Sequence, residues 1–543
     1  MIKTKTIVGL CLILALVGLA FAPCLQNNFT NWDDNLYVTG NSVVSALTWA
    51  NLKKTFTSFF VTHFQPLTIL TYSLEHHFFK LDPFFYHLTN LILHLLNTLL
   101  VFWLVYLAGG SLAVGGITAL FFGIHPLQTE TVAWISQRKT LLYACFYLAA
   151  LISYFYYLRR GLKLRYYFLC LGFFVLALLS KSVAFTLPLV LWLLDYLAIR
   201  NEARRVLSEK IPFLALSLII GLVALWGGYL STVFYQPAAY SLLARLIGAS
   251  SDLIFYLYKL CWPLKLSAIY PYLQIQQNPL YWLCLPVAIA LFSSLLFAGR
   301  KNRKLIFGAG FFLLTIFPAI RFMPLEEALV ADHYIYLPAA GILYLLAQGL
   351  LWLFKAPVRY RRLIQGLAIF IILSAAIACI FLTRSRCRVW QNSQSLWNDV
   401  LKKYPLTATA YNNRGEFFLG QKEFALAALD FKQAIAIRTN APYNPTYKYY
   451  YLNLGNALRA SGRLDEAQAV FKMLVQEAEE YFRQPQALRR GDKNKVLSSH
   501  RRNIEAGAYF NLGNIQDALG DNQSALALYL KAIELSPRML YAY

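Results

Sequence analysis

The sequence predicts an all-α chain in two parts, a polytopic membrane helix bundle followed by a tetratricopeptide-repeat α-solenoid. Three observations predict it. Hydrophobic residues make up 58% of the 543 and charged residues only 14%, which leaves too little polar surface to solvate a soluble fold of this size. The apolar residues gather into long, aromatic-rich runs bounded by Lys/Arg clusters or by Pro and Gly, the pattern of roughly 20-residue spans. From Trp390 onward the runs stop, and apolar residues recur at helical spacing among charged ones. A membrane domain over 1–385 and a repeat domain over 386–543 follow.

Eleven runs read as spans, near 7–25, 86–108, 111–126, 138–158, 165–181, 184–200, 211–231, 280–298, 305–322, 335–354 and 363–383. Lipid offers no hydrogen bonds to an open backbone, so each span is helical. The first run follows Lys3 and Lys5 as a signal peptide would, but no small-x-small site precedes Asn27 and many spans follow, so it is read as uncleaved. The segment 251–272 is interrupted by Lys259, Pro263 and Lys265 and is expected to be interfacial or re-entrant.

Charge sets the orientation. With the N-terminus in the cytoplasm, the clusters Arg159/Arg160/Lys163/Arg165, Arg200/Arg204/Arg205/Lys210, Arg300/Lys301/Arg303/Lys304 and Lys355/Arg359/Arg361/Arg362 all fall inside. An odd span number then places the repeats on the non-cytoplasmic, periplasmic or lumenal side. Arg384, Arg386 and Arg388 run against the rule there. The net charge of +24 is distributed in these short clusters and forms no continuous basic face, so membrane orientation explains it and nucleic acid is not expected as a partner. The eight cysteines are scattered without CxxC spacing, which indicates neither a zinc site nor a disulfide framework.

The repeats are legible in phase. Gly415, Gly455 and Gly513 each follow a tyrosine by four residues, precede an alanine by twelve (Ala427, Ala467, Ala525) and an aromatic by sixteen (Phe431, Phe471, Tyr529). That is the tetratricopeptide signature, in which small residues let paired helices approach and aromatics fill the space between them. The insertion Arg489 to Arg502 is basic and polar and is expected to be a loop. Such an array presents a groove to a protein or peptide.

Chemistry is expected where ionisable residues crowd the non-cytoplasmic loops, because burying them idly is costly. Asp33 and Asp34, after the first span, could supply a base for an acceptor hydroxyl, one tuned by the other. A solvated turn is the bland alternative. The stretch 48–86 holds His63, Gln65, Glu75, His76, His77 and Asp82. Adjacent histidines diverge by about 100° on a helix and rarely share an ion, so a surface role is favoured over metal. His125 and Glu130 lead to Arg138 and Lys139, a cation pair suited to lipid headgroups or a bound phosphate. Lys181 and Arg321 are further phosphate candidates. Asp332, His333 and Tyr334 close the set, His333 either donating to an anion or held by Asp332.

The strings Asn31-Trp32-Asp33-Asp34-Asn35, Gln65-Pro66-Leu67-Thr68, Tyr86-His87-Leu88-Thr89-Asn90, His125 through Lys139 and Asp332-His333-Tyr334-Ile335-Tyr336-Leu337-Pro338 occur in this order. In them the chain resembles the transmembrane and tetratricopeptide-repeat O-mannosyltransferases and their bacterial relatives, over nearly its whole length. The resemblance implies a GT-C-like glycosyltransferase using a sugar on a polyprenyl phosphate, and transfer to a protein hydroxyl with inversion. It implies catalytic Asp33 or Asp34. The candidates for donor-phosphate contacts are Arg138, Lys139, Lys181, Arg321 and His333, and those for the substrate site are His63, Gln65, His87, His125, Glu130, Asp332 and Tyr334. Two positions depart from the family pattern, His333 where Arg is frequent and Thr140 where Asp is common. No cofactor is certain, and a divalent metal has no ligand cluster with clear spacing. The expected partners are the lipid-linked sugar, membrane lipids and a protein acceptor held by the repeats. The runner-up reading is a membrane-anchored repeat scaffold without catalysis; a transporter ranks below it, since no inverted repeat is visible.

Overall fold

The computed structural model describes residues 4–61, 63–109, 111–198, 203–230, 241–271, 279–300, 302–320, 330–355, 361–438, 447–483 and 493–537. Every one of the eleven apolar runs is helical. Local sequence marks the starts. Asp82 accepts from Phe84 N (3.0 Å) ahead of Pro83–Leu107, Ser111 from Val114 N (3.2 Å) ahead of Leu112–Ile124, and Asn302 from Lys304 N (3.1 Å) ahead of Arg303–Ile316. Each side chain satisfies a backbone donor that a helix start leaves open. Gly109 and Gly161, with φ of +84° and +71°, turn the chain after two of the helices.

Six helices are long and apolar enough to cross a bilayer: Thr4–Gln26, Pro83–Leu107, Ile135–Arg159, Arg204–Gly227, Leu280–Gly299 and Arg361–Val389. The bent pair Leu112–Ile124 and Pro126–Ala133, broken by 53°, makes a seventh if it is one span. Leu164–Ser180, Ser182–Leu197 and Ala339–Phe354 are shorter apolar helices. The break comes where His125 precedes Pro126, since a residue before proline is driven out of the helical region.

The Ile135–Arg159 helix is the centre of the bundle, 78% of its apolar window being buried, against 6% for Leu280–Gly299, whose apolar side chains are left for lipid. Gly123 permits the closest packing nearby: a Cβ there would lie 2.4 Å from Val17 and 3.1 Å from Thr98. At the end away from the Asp33 loop, Lys210 is buried in a clamp, its Nζ donating to Asp195 (2.6 Å) and to the Tyr154 hydroxyl (2.5 Å). Lys210 therefore ties helices together and is not the free orientation charge expected of it.

The chain divides into two compact units, one up to Asn392 and one from Ser393. The helix Arg361–Val389 runs through residue 385, so the boundary lies a few residues later than the expected 385/386. The second unit is built from helix pairs joined by short turns at 421–423, 461–463 and 519–521, where Lys422, Gly462 and Gly520 take left-handed φ. The sixteen-residue spacing is a contact: a Cβ on Gly415, Gly455 or Gly513 would stand 2.7, 2.4 or 2.5 Å from Phe431, Phe471 or Tyr529. The expected loop Arg489 to Arg502 is corrected from Lys493 on, where the helix Lys493–Ala518 begins; 489–492 lie outside the described residues.

Candidate functional site

Asp34 folds the first loop. Its Oδ2 accepts from Thr30 N (2.8 Å) and the Thr30 hydroxyl (3.1 Å), and its Oδ1 accepts from Ser136 N (3.0 Å) and the Ser136 hydroxyl (2.5 Å). The loop is thereby pinned to the Ile135–Gln137 turn at the mouth of the central helix. Burial raises the Asp34 pKa, and the four donors pull it back. The Asp33 carbonyl accepts from Leu36 N (2.9 Å) and Tyr37 N (3.1 Å), starting the next turn. Its half-buried carboxylate lies in the field of Lys139 and Tyr37. Adjacent acids thus have separate positions: Asp34 is enclosed by donors, and Asp33 sits beside a cation.

Arg138 departs from its expected role as a phosphate ligand. Its side chain is fully buried, Nε donating to Asn90 Oδ1 (2.9 Å), one terminal nitrogen pairing with Glu75 and the other donating to the Tyr86 carbonyl (2.7 Å). The Tyr72 ring lies 4.9 Å beneath it. A rigid guanidinium fork at the mouth of a buried helix finds its carboxylate within the protein. Glu75 is in turn committed to Arg138.

Among the described residues, Lys139 and Lys181 are the expected phosphate cations that remain. Lys139 Nζ donates to the Tyr37 hydroxyl at 3.3 Å and lies 4.5 Å over its ring. Lys181 Nζ donates to Thr140 Oγ1 (2.8 Å), which donates to Gln137 Oε1 (2.7 Å), while the Tyr143 and Tyr334 rings flank it at 5.8 Å each. Thr140 is a neutral partner, so it does not cancel the ammonium charge as an aspartate there would. Burial, then the charge of Lys139, pushes the Lys181 pKa well down.

His333 joins them. Its Nδ1 is 2.6 Å from Glu130 Oε1, and burial followed by the charges of Lys181 and Lys139 holds its pKa well below the usual imidazole range. The orienting acid is therefore Glu130, a correction to the expected Asp332. Asp332 is buried and accepts from the Tyr270 hydroxyl (2.8 Å), which accepts from Ser267 N (2.9 Å), an anchor for the loop.

The other candidates divide. Gln65 is buried beside the Tyr37 hydroxyl, and His63, an exposed side chain, stands in the field of Lys139 and Lys181. His87 is buried against the backbone of Asn27 and Asn28. His125 is corrected to a structural role: Nδ1 accepts from Leu127 N (3.2 Å) and Nε2 meets the Leu260 carbonyl (3.0 Å), holding the bend. Arg321 lies outside the described residues. Among the described residues no group of three or more His, Cys, Asp and Glu gathers to hold a metal ion.

Arg386 was missed by sequence reasoning. It is buried in the field of Glu130 and Tyr270. Its signal was its position, an arginine at the end of the last long run on the wrong side for orientation. Trp390 was missed too. It stacks on Trp134 with centroids 5.6 Å apart, and Trp134 also meets Trp32 (6.1 Å) and His333 (5.9 Å).

Comparison with known proteins adds relatives to this geometry. Tetratricopeptide repeat models match residues 406–476 and 506–539. The chain is 25% identical to Protein O-mannosyl-transferase Tmtc3 of Drosophila melanogaster, over 88% of this chain and 58% of that protein. It is 23% identical to Protein O-mannosyl-transferase TMTC3 of Mus musculus, over 88% and 54%. This chain spans little more than half the length of these relatives. Among solved structures, the apo oligosaccharyltransferase of Archaeoglobus fulgidus aligns with a TM-score of 0.41 and 14% identity over 74% of this chain and 58% of that one.

Proposed function

We propose that this chain is a membrane glycosyltransferase. It moves a mannose-like sugar from a polyprenyl-phosphate donor to a protein hydroxyl on the non-cytoplasmic face, with inversion, while the repeats bind the acceptor or a partner protein. The observation that carries the proposal is the gathering of Lys139, Lys181 and His333 in one another's field, with Lys139 also in the field of the Asp33 carboxylate. The names of relatives aligned along 88% of the chain supply the reaction class. Eleven spans and a cytoplasmic N-terminus belong to the same proposal.

Asp33 takes the proton of the acceptor hydroxyl as its oxygen bonds to the anomeric carbon. The bond from that carbon to the phosphate oxygen breaks with its electron pair, and polyprenyl phosphate departs. A phosphate leaves readily, so the enzyme needs fixed positive charge where negative charge grows more than it needs a strong acid. Lys139 and Lys181 supply it. With Nδ1–H directed at Glu130, neutral His333 offers Nε2 as an acceptor, suited to a sugar hydroxyl.

One observation favours the second reading, a scaffold: Asp34, Arg138, His125 and Asp332 are all engaged internally, as in a purely structural bundle. Mass spectrometry of non-cytoplasmic proteins separates the two. Cells lacking the gene and complemented with Asp33→Asn are expected to lose the same glycans as cells without the gene while the protein accumulates normally. Full glycosylation with Asp33→Asn overturns catalysis by this loop.

A further inference from the structure

Two thiols meet where the first long helix ends and the last one does. Cys24 lies in the Ala22–Gln26 turn that extends the first helix, and Cys387 in the last turn of Arg361–Val389. Both are fully buried, and the turn that carries Cys24 packs against the helix that carries Cys387, with each thiol in the other's field. Hydrogen bonds hold the approach on both chains: the Asn27 side-chain amide donates to the Cys387 carbonyl (3.0 Å), Asn27 N to the Cys24 carbonyl (3.1 Å) and Asn28 N to the Gln391 carbonyl (2.9 Å). Two cysteines can be bridged without backbone movement only if they already lie this close. Scattered positions in the sequence conceal the pairing.

We infer that Cys24 and Cys387 form a disulfide that locks the start of the Asp33 loop to the end of the last long helix. The inference rests on the proposed non-cytoplasmic placement of this face, where thiols are oxidised. Each thiol gives up its hydrogen. Exchange with a disulfide oxidant makes the Cys24–Cys387 S–S bond, breaks the oxidant's S–S bond, and passes two electrons and two protons to it as two thiols. The lock joins both ends of a circuit that runs through the first loop and the residues just before the central helix. Past Cys24 the loop reaches Asp34, which holds Ser136, and past Cys387 the chain reaches Trp390, which stacks on Trp134.

The test uses full-length protein from its native membranes. It is denatured and treated with N-ethylmaleimide before and after dithiothreitol, then digested for peptide mass spectrometry. The expected result is a linked pair containing Cys24 and Cys387, converted by dithiothreitol into two labelled peptides. Recovery of both peptides already labelled without dithiothreitol overturns the inference. In Cys387→Ser, Cys24 is expected to label without reductant; its continued protection shows another partner and overturns the pairing. If that variant does not accumulate, the wild-type peptides decide alone. No readout depends on sugar transfer, so the disulfide fails or stands separately from the Asp33→Asn result.

Discussion

Neighbouring residues of one type take opposite fates at this site. Asp34 accepts four hydrogen bonds, so Asp34→Asn turns an amide NH2 toward groups that already donate, leaving buried donors unsatisfied at about 1–3 kcal/mol each. Asp33 is half-buried in the field of Lys139 and Tyr37. We expect Asp34→Asn to lower the melting temperature in detergent more than Asp33→Asn does, and Asp33→Asn to abolish transfer; equal destabilisation by both contradicts the division of roles. Arg138 and Lys139 diverge in the same way, about 100° apart on one helix, one buried against Glu75 and the other beside Tyr37 and Asp33. Lys181 carries a pH signature. Its pKa is pushed down in the free protein, and a bound phosphate raises it again, so donor binding takes up a proton. Donor affinity should be level below the depressed Lys181 pKa and fall by up to tenfold per pH unit above it. Lys181→Arg, always charged, should flatten the profile in a binding titration; a pH-independent wild type contradicts the assignment.

Elements were more legible than side-chain roles, for a physical reason. Long apolar runs are a local property, so each of the eleven appears as a helix, and the repeat spacing encodes a contact between a glycine and an aromatic on paired helices. What a charge near a helix end does is decided by partners far along the chain. Lys210 looked like an orientation charge and is instead a buried clamp with Asp195 and Tyr154; Arg386 looked like an orientation error and lies buried in the field of Glu130 and Tyr270. Removing one member of such a buried pair leaves the other uncompensated, at about 3–5 kcal/mol. Lys210→Met should therefore lower thermal stability strongly in detergent, and Lys210→Met with Asp195→Leu should regain part of it. Donor affinity should stay within about twofold in whatever fraction folds, because the clamp sits at the far end of the central helix. An affinity loss matching that of Lys181→Ala would place Lys210 in the donor site instead.

At the scale of the whole molecule, everything proposed here depends on which side of the bilayer each loop occupies. The three arginines 384, 386 and 388 are the apparent exception to the positive-inside pattern, and the structure accounts for one. Arg386 is buried in the field of Glu130 and Tyr270, so it is not a solvated charge available to set orientation. Half-buried Arg384, which donates to the Leu19 carbonyl, and exposed Arg388 remain, against four inner clusters with several cations each. The proposed topology has a cytoplasmic N-terminus with the Asp33 loop and the repeats both outside. Single-cysteine variants at the exposed positions Ser45, Arg160 and Gln421 read this directly, in a background where Cys11, Cys261 and Cys284 are serine and the remaining thiols are buried. An impermeant maleimide applied to intact cells or sealed right-side-out vesicles should label Ser45→Cys and Gln421→Cys, and reach Arg160→Cys only after permeabilisation. Labelling of Ser45→Cys and Gln421→Cys from opposite sides would require an odd number of crossings between them. It would deny a shared compartment to the acceptor-binding repeats and the Asp33 carboxylate, and the transferase proposal would fall with it.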